Sequence, residues 1–221
     1  MFASRLISES VPPLKPGDTF GRALKWMNEL RVNVLPVIEG KKYQGLLTRN
    51  AVSDPALADK TIESQQPVLN RVFVFGNQHV YDLVKLASLE RIDIVPVLNE
   101  TEDYEGIVSV NDLVQYFAEI KSVYTPGGII ILEIPLKDYS MSQIAQLIES
   151  EGAHILSAGV APTDDSKVIE LTLKIDKVDL SRILASLYRY NYTVTASYHQ
   201  SEHAEDLKNR FDEFMNYLNI G

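Results

Sequence analysis

Two stretches of sequence decide the fold: RVNVLPVI at residues 31–38 and RIDIVPVL at residues 91–98. Both are rich in β-branched residues, and both carry a proline at their sixth position. Apolar, β-branched runs of this length are typical of buried strands. Because the two stretches lie about 60 residues apart, we expect a duplicated small domain.

The residues around each predicted strand repeat as well. A helical stripe precedes each strand, and a glycine-containing stretch follows each one: YQGLLT at 43–48 and EGIVSV at 105–110. A single unit of roughly 60 residues buries too little surface to be very stable alone, so we expect the copies to share a core with a cleft between them. The order of elements predicts mixed α/β layers. The two stripes are Phe20, Ala23, Leu24 and Met27, then Val80, Leu83, Val84 and Ala87.

A different pattern begins after TPGG at residues 125–128. We predict a strand at 129–134, a helix at 141–151, a hairpin of strands at 154–160 and 168–175, a helix at 180–190 and a strand at 193–198. This βαββαβ order is that of a ferredoxin-like α+β domain, whose antiparallel sheet carries both helices on one face.

Residues 202–218 predict a C-terminal amphipathic helix, because Leu207, Phe211, Phe214 and Leu218 follow helical spacing. Its apolar face would pack on its own domain, on the repeat pair or on a second subunit. The predicted limits are therefore 1–122 for the repeat pair, with repeats of about 1–60 and 61–122, then 127–199 and 201–219.

Composition excludes several classes of function. The 221 residues carry a net charge of −9, which disfavours broad binding to nucleic acid or to anionic membranes. The absence of cysteine, of a signal sequence and of a membrane-length apolar run predicts a cytoplasmic protein. No motif for nucleophilic, hydride or phosphoryl chemistry is present, so we predict no enzyme and no catalytic residue. The spacing of His199 and His203 is a weak zinc signal, and we predict no metal or cofactor.

The repeat, with its Pro-Val strand and its Gly-to-Asp ending, resembles a tandem CBS domain pair. The βαββαβ part looks like an ACT domain, and the combination resembles bacterial CBS proteins of the acetoin utilisation family. The resemblance implies a pseudo-twofold pair whose cleft binds an adenosine nucleotide (AMP, ADP or ATP), and a homodimer of such pairs.

That resemblance also implies the site residues. Asp112 would bind the ribose hydroxyls, Ser109 would lie beside phosphate at a helix N-terminus, and a strand backbone would face adenine. In the first repeat Ala51 replaces the aspartate, so we expect one such site per chain. Ser109 and Asp112 are equally the residues that begin an ordinary helix. The predicted nucleotide-binding residues are Ile92, Asp93, Ile94, Val95, Pro96, Ser109 and Asp112; Arg49, Arg91 and Lys42 lie near the motifs as candidate phosphate partners.

Two functions remain open from the sequence. The first is a regulatory sensor that binds a nucleotide and relays its state through a dimer. The second is a ligand-free scaffold for dimerisation and protein interaction. For the ACT-like part the resemblance implies an amino acid at the loop 135–140, where the glycine common in that family is missing; dimerisation is the competing interpretation.

Overall fold

The computed structural model describes residues 1–199, which fall into two compact units that divide between Tyr116 and Phe117. The predicted C-terminal helix at 201–219 lies outside the described residues. So does His203, the partner of His199 in the weak zinc signal.

The first unit contains the two repeats. Its first helix begins after Thr19, whose hydroxyl accepts a hydrogen bond from the Arg22 backbone N–H at 3.2 Å. Phe20, Ala23 and Met27 are buried, as the stripe predicts. The helices are α1 (Phe20–Glu29), α2 (Arg49–Val52), α3 (Ile62–Gln65), α4 (Val80–Glu90) and α5 (Val110–Ile120), the last of which ends in the second unit. The strands are β1 (Val34–Glu39), β2 (Lys42–Thr48), β3 (Val74–Phe75), β4 (Ile94–Leu98) and β5 (Tyr104–Ser109).

The repeat in sequence is a repeat in strand pairing. β1 pairs antiparallel with β2, β4 pairs antiparallel with β5, and each register shifts at the same place, after Val37 and after Val97. On the edge of β1 that does not face β2, Leu14 forms a parallel bridge to Val37. Val74 forms the equivalent parallel bridge to Val97 on β4. The strand pairing therefore repeats at Val37 and Val97.

The segment that precedes each repeat's first helix also forms hydrogen bonds with the strand pair of the other repeat. The Ser8 N–H donates to the Ile107 carbonyl at 2.8 Å, so the start of the chain lies along the second repeat. The counterpart is the 2.9 Å bond from the Leu46 N–H to the Asn70 carbonyl, by which the start of the second repeat lies along the first. The two repeats therefore complete each other's strand layers.

Glycines make room for these crossings. Gly45 and Gly106 have φ values of +146° and +150°, which favour glycine. A Cβ on Gly45 would lie 2.7 Å from the Leu69 Cβ, and one on Gly106 would lie 2.5 Å from the Ile7 Cγ2.

The second unit has the predicted βαββαβ order, and its four strands form an antiparallel sheet in the order β7-β8-β6-β9. Residues from both helices and from alternate positions of β6 and β8 share one core, because side chains alternate across a strand. Ile130 on β6, Ile144 on α6 and Ile183 on α7 are all buried in this core. The elements are β6 (Gly128–Pro135), α6 (Met141–Ser150), β7 (Ile155–Pro162), β8 (Val168–Ile175), α7 (Ser181–Arg189) and β9 (Thr193–His199).

We predict that Gly106→Ala destabilises the protein by about 1–3 kcal/mol, through backbone strain and overpacking against Ile7. Gly17→Ala is the matched control, since nothing lies within 4 Å of the Cβ it would add. Urea unfolding of both variants measures the difference. Equal stability of the two variants would show that the crossing tolerates a side chain.

Candidate functional site

The start of β4 and the end of β5 meet at one place. The antiparallel register puts Ile94 opposite Ser109, and the Val110 N–H donates to the Asp93 carbonyl at 2.9 Å. All the predicted site residues on these two strands are therefore close together.

Most side chains of the predicted adenine-binding stretch are buried. Ile92, Ile94, Val95 and Pro96 are buried, so their side chains belong to the core. Asp93 is half-buried, and its carboxylate accepts a hydrogen bond from the Asn33 N–H at 2.7 Å. Because Asn33 lies in the first repeat and Asp93 in the second, this bond joins the repeats beside the candidate site.

Ser109 and Asp112 bind each other at the start of α5. The Ser109 N–H and hydroxyl both donate to Asp112 Oδ2, at 2.9 and 2.7 Å. The Asp112 N–H in turn donates to the Ser109 hydroxyl oxygen at 3.1 Å. This is a reciprocal capping box, with the N-cap residue and the third helical residue satisfying each other's N–H groups.

The capping box supports the structural interpretation of these two residues without excluding the functional one. Both side chains remain half-exposed, and Asp112 Oδ1 accepts none of these bonds. The carboxylate is thus held in place through Oδ2, while Oδ1 takes no part in the capping box.

Arg49 has a structural role that the sequence did not reveal. Its guanidinium donates to the side-chain oxygens of Asn33 and Asn28, at 3.0 and 2.7 Å, and to the Val32 carbonyl at 2.9 Å. No local pattern in the sequence pairs Arg49 with Asn28 or Asn33. Three of its five N–H donors are engaged in this way, which holds the Arg49 side chain against the first repeat.

The other two candidate phosphate partners are Arg91, at the end of α4, and Lys42, at the start of β2. Arg91 ends α4 with φ +53° and is exposed. Lys42 lies at the opposite end of the strands, where its ammonium bonds Asp103 at 2.8 Å and the Thr101 carbonyl at 2.7 Å. The hydrogen bond from the Lys42 ammonium lowers the pKa of Asp103 below its usual range. The ion pair is a second link between the repeats, across from the candidate site.

Two further properties concern the described part of the chain. Within residues 1–199, no three His, Asp or Glu side chains are placed to hold a metal ion. Over the same residues, no helix combines the length and the apolar character that a membrane span needs.

Comparison with known proteins gives distant similarities. No family model matches the chain. An inosine-5′-monophosphate dehydrogenase of Methanocaldococcus jannaschii is 21% identical over 179 residues, which are 80% of this chain and 35% of that protein. The chain thus spans about a third of the length of this relative.

The similar solved structures include CBS domain proteins. One is a CBS domain pair/ACT domain protein of Thermotoga maritima, 18% identical, covering 54% of this chain and 98% of its own, with a TM-score of 0.49. Another is CBSX2 in complex with AMP, 17% identical, with coverages of 54% and 98% and a TM-score of 0.45.

We predict that Ser109→Ala lowers the free energy of unfolding by about 0.5–2 kcal/mol in the absence of any ligand, because the capping box is lost. Asn111→Ala, an exposed position on the first turn of α5, is the control. Urea unfolding followed by circular dichroism measures both. A Ser109→Ala variant as stable as the control would mean that the observed bonds contribute nothing net.

Proposed function

We propose that the protein is a regulatory sensor that binds an adenosine nucleotide beside Ser109 and Asp112. The observation that carries this proposal is the meeting of the β4 backbone, the first turn of α5 and the Asp93–Asn33 bond between repeats at one place. We also propose the layout that the resemblance implies, with a CBS pair at 1–122 and an ACT-like domain at 127–199.

Each part of the nucleotide has a chemically suitable group here. Asp112 Oδ1 accepts hydrogen bonds from the ribose hydroxyls, while Oδ2 stays in the capping box. The helix dipole places partial positive charge at the start of α5, which favours phosphate, while the Val110 and Asp112 N–H groups themselves bond to Asp93 and Ser109. Backbone groups at residues 92–95 that are not bonded within the fold pair with the adenine edge; the Ile92 N–H and the Asp93 carbonyl already bond to Ala87 and Val110.

Sensing requires that the nucleotide binds one arrangement of the repeats better than another. The Asp93–Asn33 bond is a connection through which this difference reaches the first repeat, because Asn33 also holds Arg49. A nucleotide that displaces Asp93 even slightly changes both repeats together.

We predict that AMP, ADP or ATP raises the melting temperature of the full chain. At 100 times its dissociation constant a ligand adds about 2.7 kcal/mol of stability, which a thermal-shift assay detects readily. Guanosine monophosphate is the control for adenine recognition. An unchanged melting temperature with all three adenosine nucleotides would contradict the sensor.

Asp112→Ala removes both the proposed ribose contact and the helix cap. A comparison of two ligands, one without ribose hydroxyls, distinguishes these two effects. We predict that wild-type protein binds AMP more tightly than its 2′,3′-dideoxy analogue by about 1.5–3 kcal/mol, the range for hydrogen bonds to a charged group. Asp112→Ala should bind both ligands equally, because the carboxylate that distinguishes them is gone.

Ser109→Ala is the matched control for that cycle, since it disrupts the cap and keeps the carboxylate. It should still discriminate between the two ligands, as measured by calorimetric titration. Discrimination that survives in Asp112→Ala would move the ribose away from this residue.

We further propose that the chain forms a homodimer through apolar side chains exposed on the first unit. Val110 and Val114 lie one turn apart on α5, and Val114 is 61% exposed; Leu89 on α4 is 70% exposed. Exposed apolar side chains grouped on one helix face, as Val110 and Val114 are, are typical of interaction sites.

We predict that Val114→Glu converts this dimer to a monomer, because it places a charge in an apolar interface. Gln115→Glu, an exposed neighbour on the same helix, is the control and should leave the mass unchanged. Light scattering coupled to size-exclusion chromatography measures both. Dimers of both variants would exclude this face.

The alternative function is a ligand-free scaffold. Two observations favour it: Asp112 already has a structural partner, and Ala51 removes the carboxylate from the first repeat. A protein that dimerises but ignores every adenosine nucleotide would be such a scaffold.

A further inference from the structure

The second unit contains a cleft that the nucleotide proposal does not use. It lies where the loop after β6 approaches the turn between β7 and β8, and its volume is about 630 Å³, within the range of small-molecule sites. Its lining residues are Pro135, Leu136, Lys137, Ser166, Lys167 and Val168.

The walls of this cleft are held by backbone bonds. The Leu136 N–H donates to the Lys167 carbonyl at 2.8 Å, and Pro135 and Val168 are paired in the sheet. The turn is fixed in addition by Thr163, whose hydroxyl donates to the Val168 carbonyl at 3.0 Å. A site with such walls exists before any ligand arrives, which reduces the cost of binding.

The lining combines apolar surface with positive charge. Leu136 is a large apolar side chain left 55% exposed beside Pro135 and Val168. Lys137 and Lys167 contribute ammonium groups, and neither forms an ion pair or a side-chain hydrogen bond within residues 1–199. No carboxylate is among the lining side chains.

We infer that this cleft binds an amphipathic anion, an aliphatic chain that ends in a carboxylate. The chain would cover Leu136 and Val168, and the carboxylate would meet the ammonium groups of the two lysines. An amino acid, which the sequence resemblance implies for this loop, fits the lining less well. The ammonium group of an amino acid would lie close to those of Lys137 and Lys167, and no lining carboxylate would accept a hydrogen bond from it.

The test is calorimetric titration of the full chain with octanoate, hexanoate, octylamine and leucine at low ionic strength. Octanoate should bind more tightly than hexanoate by up to about fifteenfold, since each buried methylene contributes about fourfold. Octylamine and leucine should give no measurable binding. Raised salt should weaken octanoate binding, because the lysines are exposed and therefore screened.

Lys137→Gln and Lys167→Gln should each weaken octanoate binding by up to about fivefold, the upper range for an exposed charge pair. Lys177→Gln, an exposed lysine of the same unit outside the lining, is the matched control and should leave affinity unchanged. Leu136→Ser, at a position already half-exposed, should fold and should weaken octanoate binding as well.

Each contrary result overturns the inference. Binding of leucine as tight as that of octanoate would make this an amino-acid site. Equal binding of octylamine would show general apolar adsorption, and no binding of octanoate would exclude the ligand class. Because every residue involved lies in the second unit, Asp112→Ala should bind octanoate normally, and failure here leaves the nucleotide proposal untouched.

Discussion

The first unit depends on the exchange of leading segments between its repeats. Ser8 bonds to the second strand pair and Leu46 bonds to the segment at Asn70, so neither repeat completes its own strand layer. This exchange is possible only where the backbones approach closely, which is why Gly45 and Gly106 lack side chains there. It follows that each repeat contributes hydrogen bonds to the strand pair of the other.

The candidate site combines two demands on one carboxylate. Asp112 begins α5 by accepting two hydrogen bonds from Ser109, and a sensor would ask it to bind ribose as well. These demands are compatible because a carboxylate has about four acceptor positions on its two oxygens. The first repeat has no such carboxylate, because Ala51 stands in place of the aspartate. Its helix α2 is four residues long, and the Thr48 side chain makes no capping bond. The two repeats therefore differ in the capping of the helix that follows the strand pair.

The sequence predicted those features that arise from local periodicity. The strands around Pro36 and Pro96 repeat with a fixed period, and the helix near Ile144 has a clear apolar stripe, so both could be placed before the structure was known. The exchange of leading segments could not, because residues 7–8 and 69–70 carry no pattern that names their partners. The Arg49 network was missed for the same reason: its partners, Asn28 on α1 and the segment at Val32 and Asn33, come together only through tertiary contacts.

The acidic net charge shapes how either proposed ligand would bind. At −9 the chain repels anions at long range, so neither a nucleotide nor a carboxylate is steered toward it. Binding must then rest on contacts shorter than the Debye length of about 8 Å at physiological salt. The two sites meet this constraint differently. Near Ser109 the attraction comes from fixed backbone dipoles at the start of α5, whereas at Leu136 it comes from two exposed ammonium groups. Salt screens exposed charges far more than fixed dipoles close to a half-buried group, so the two sites differ in physical character even though both would hold anions.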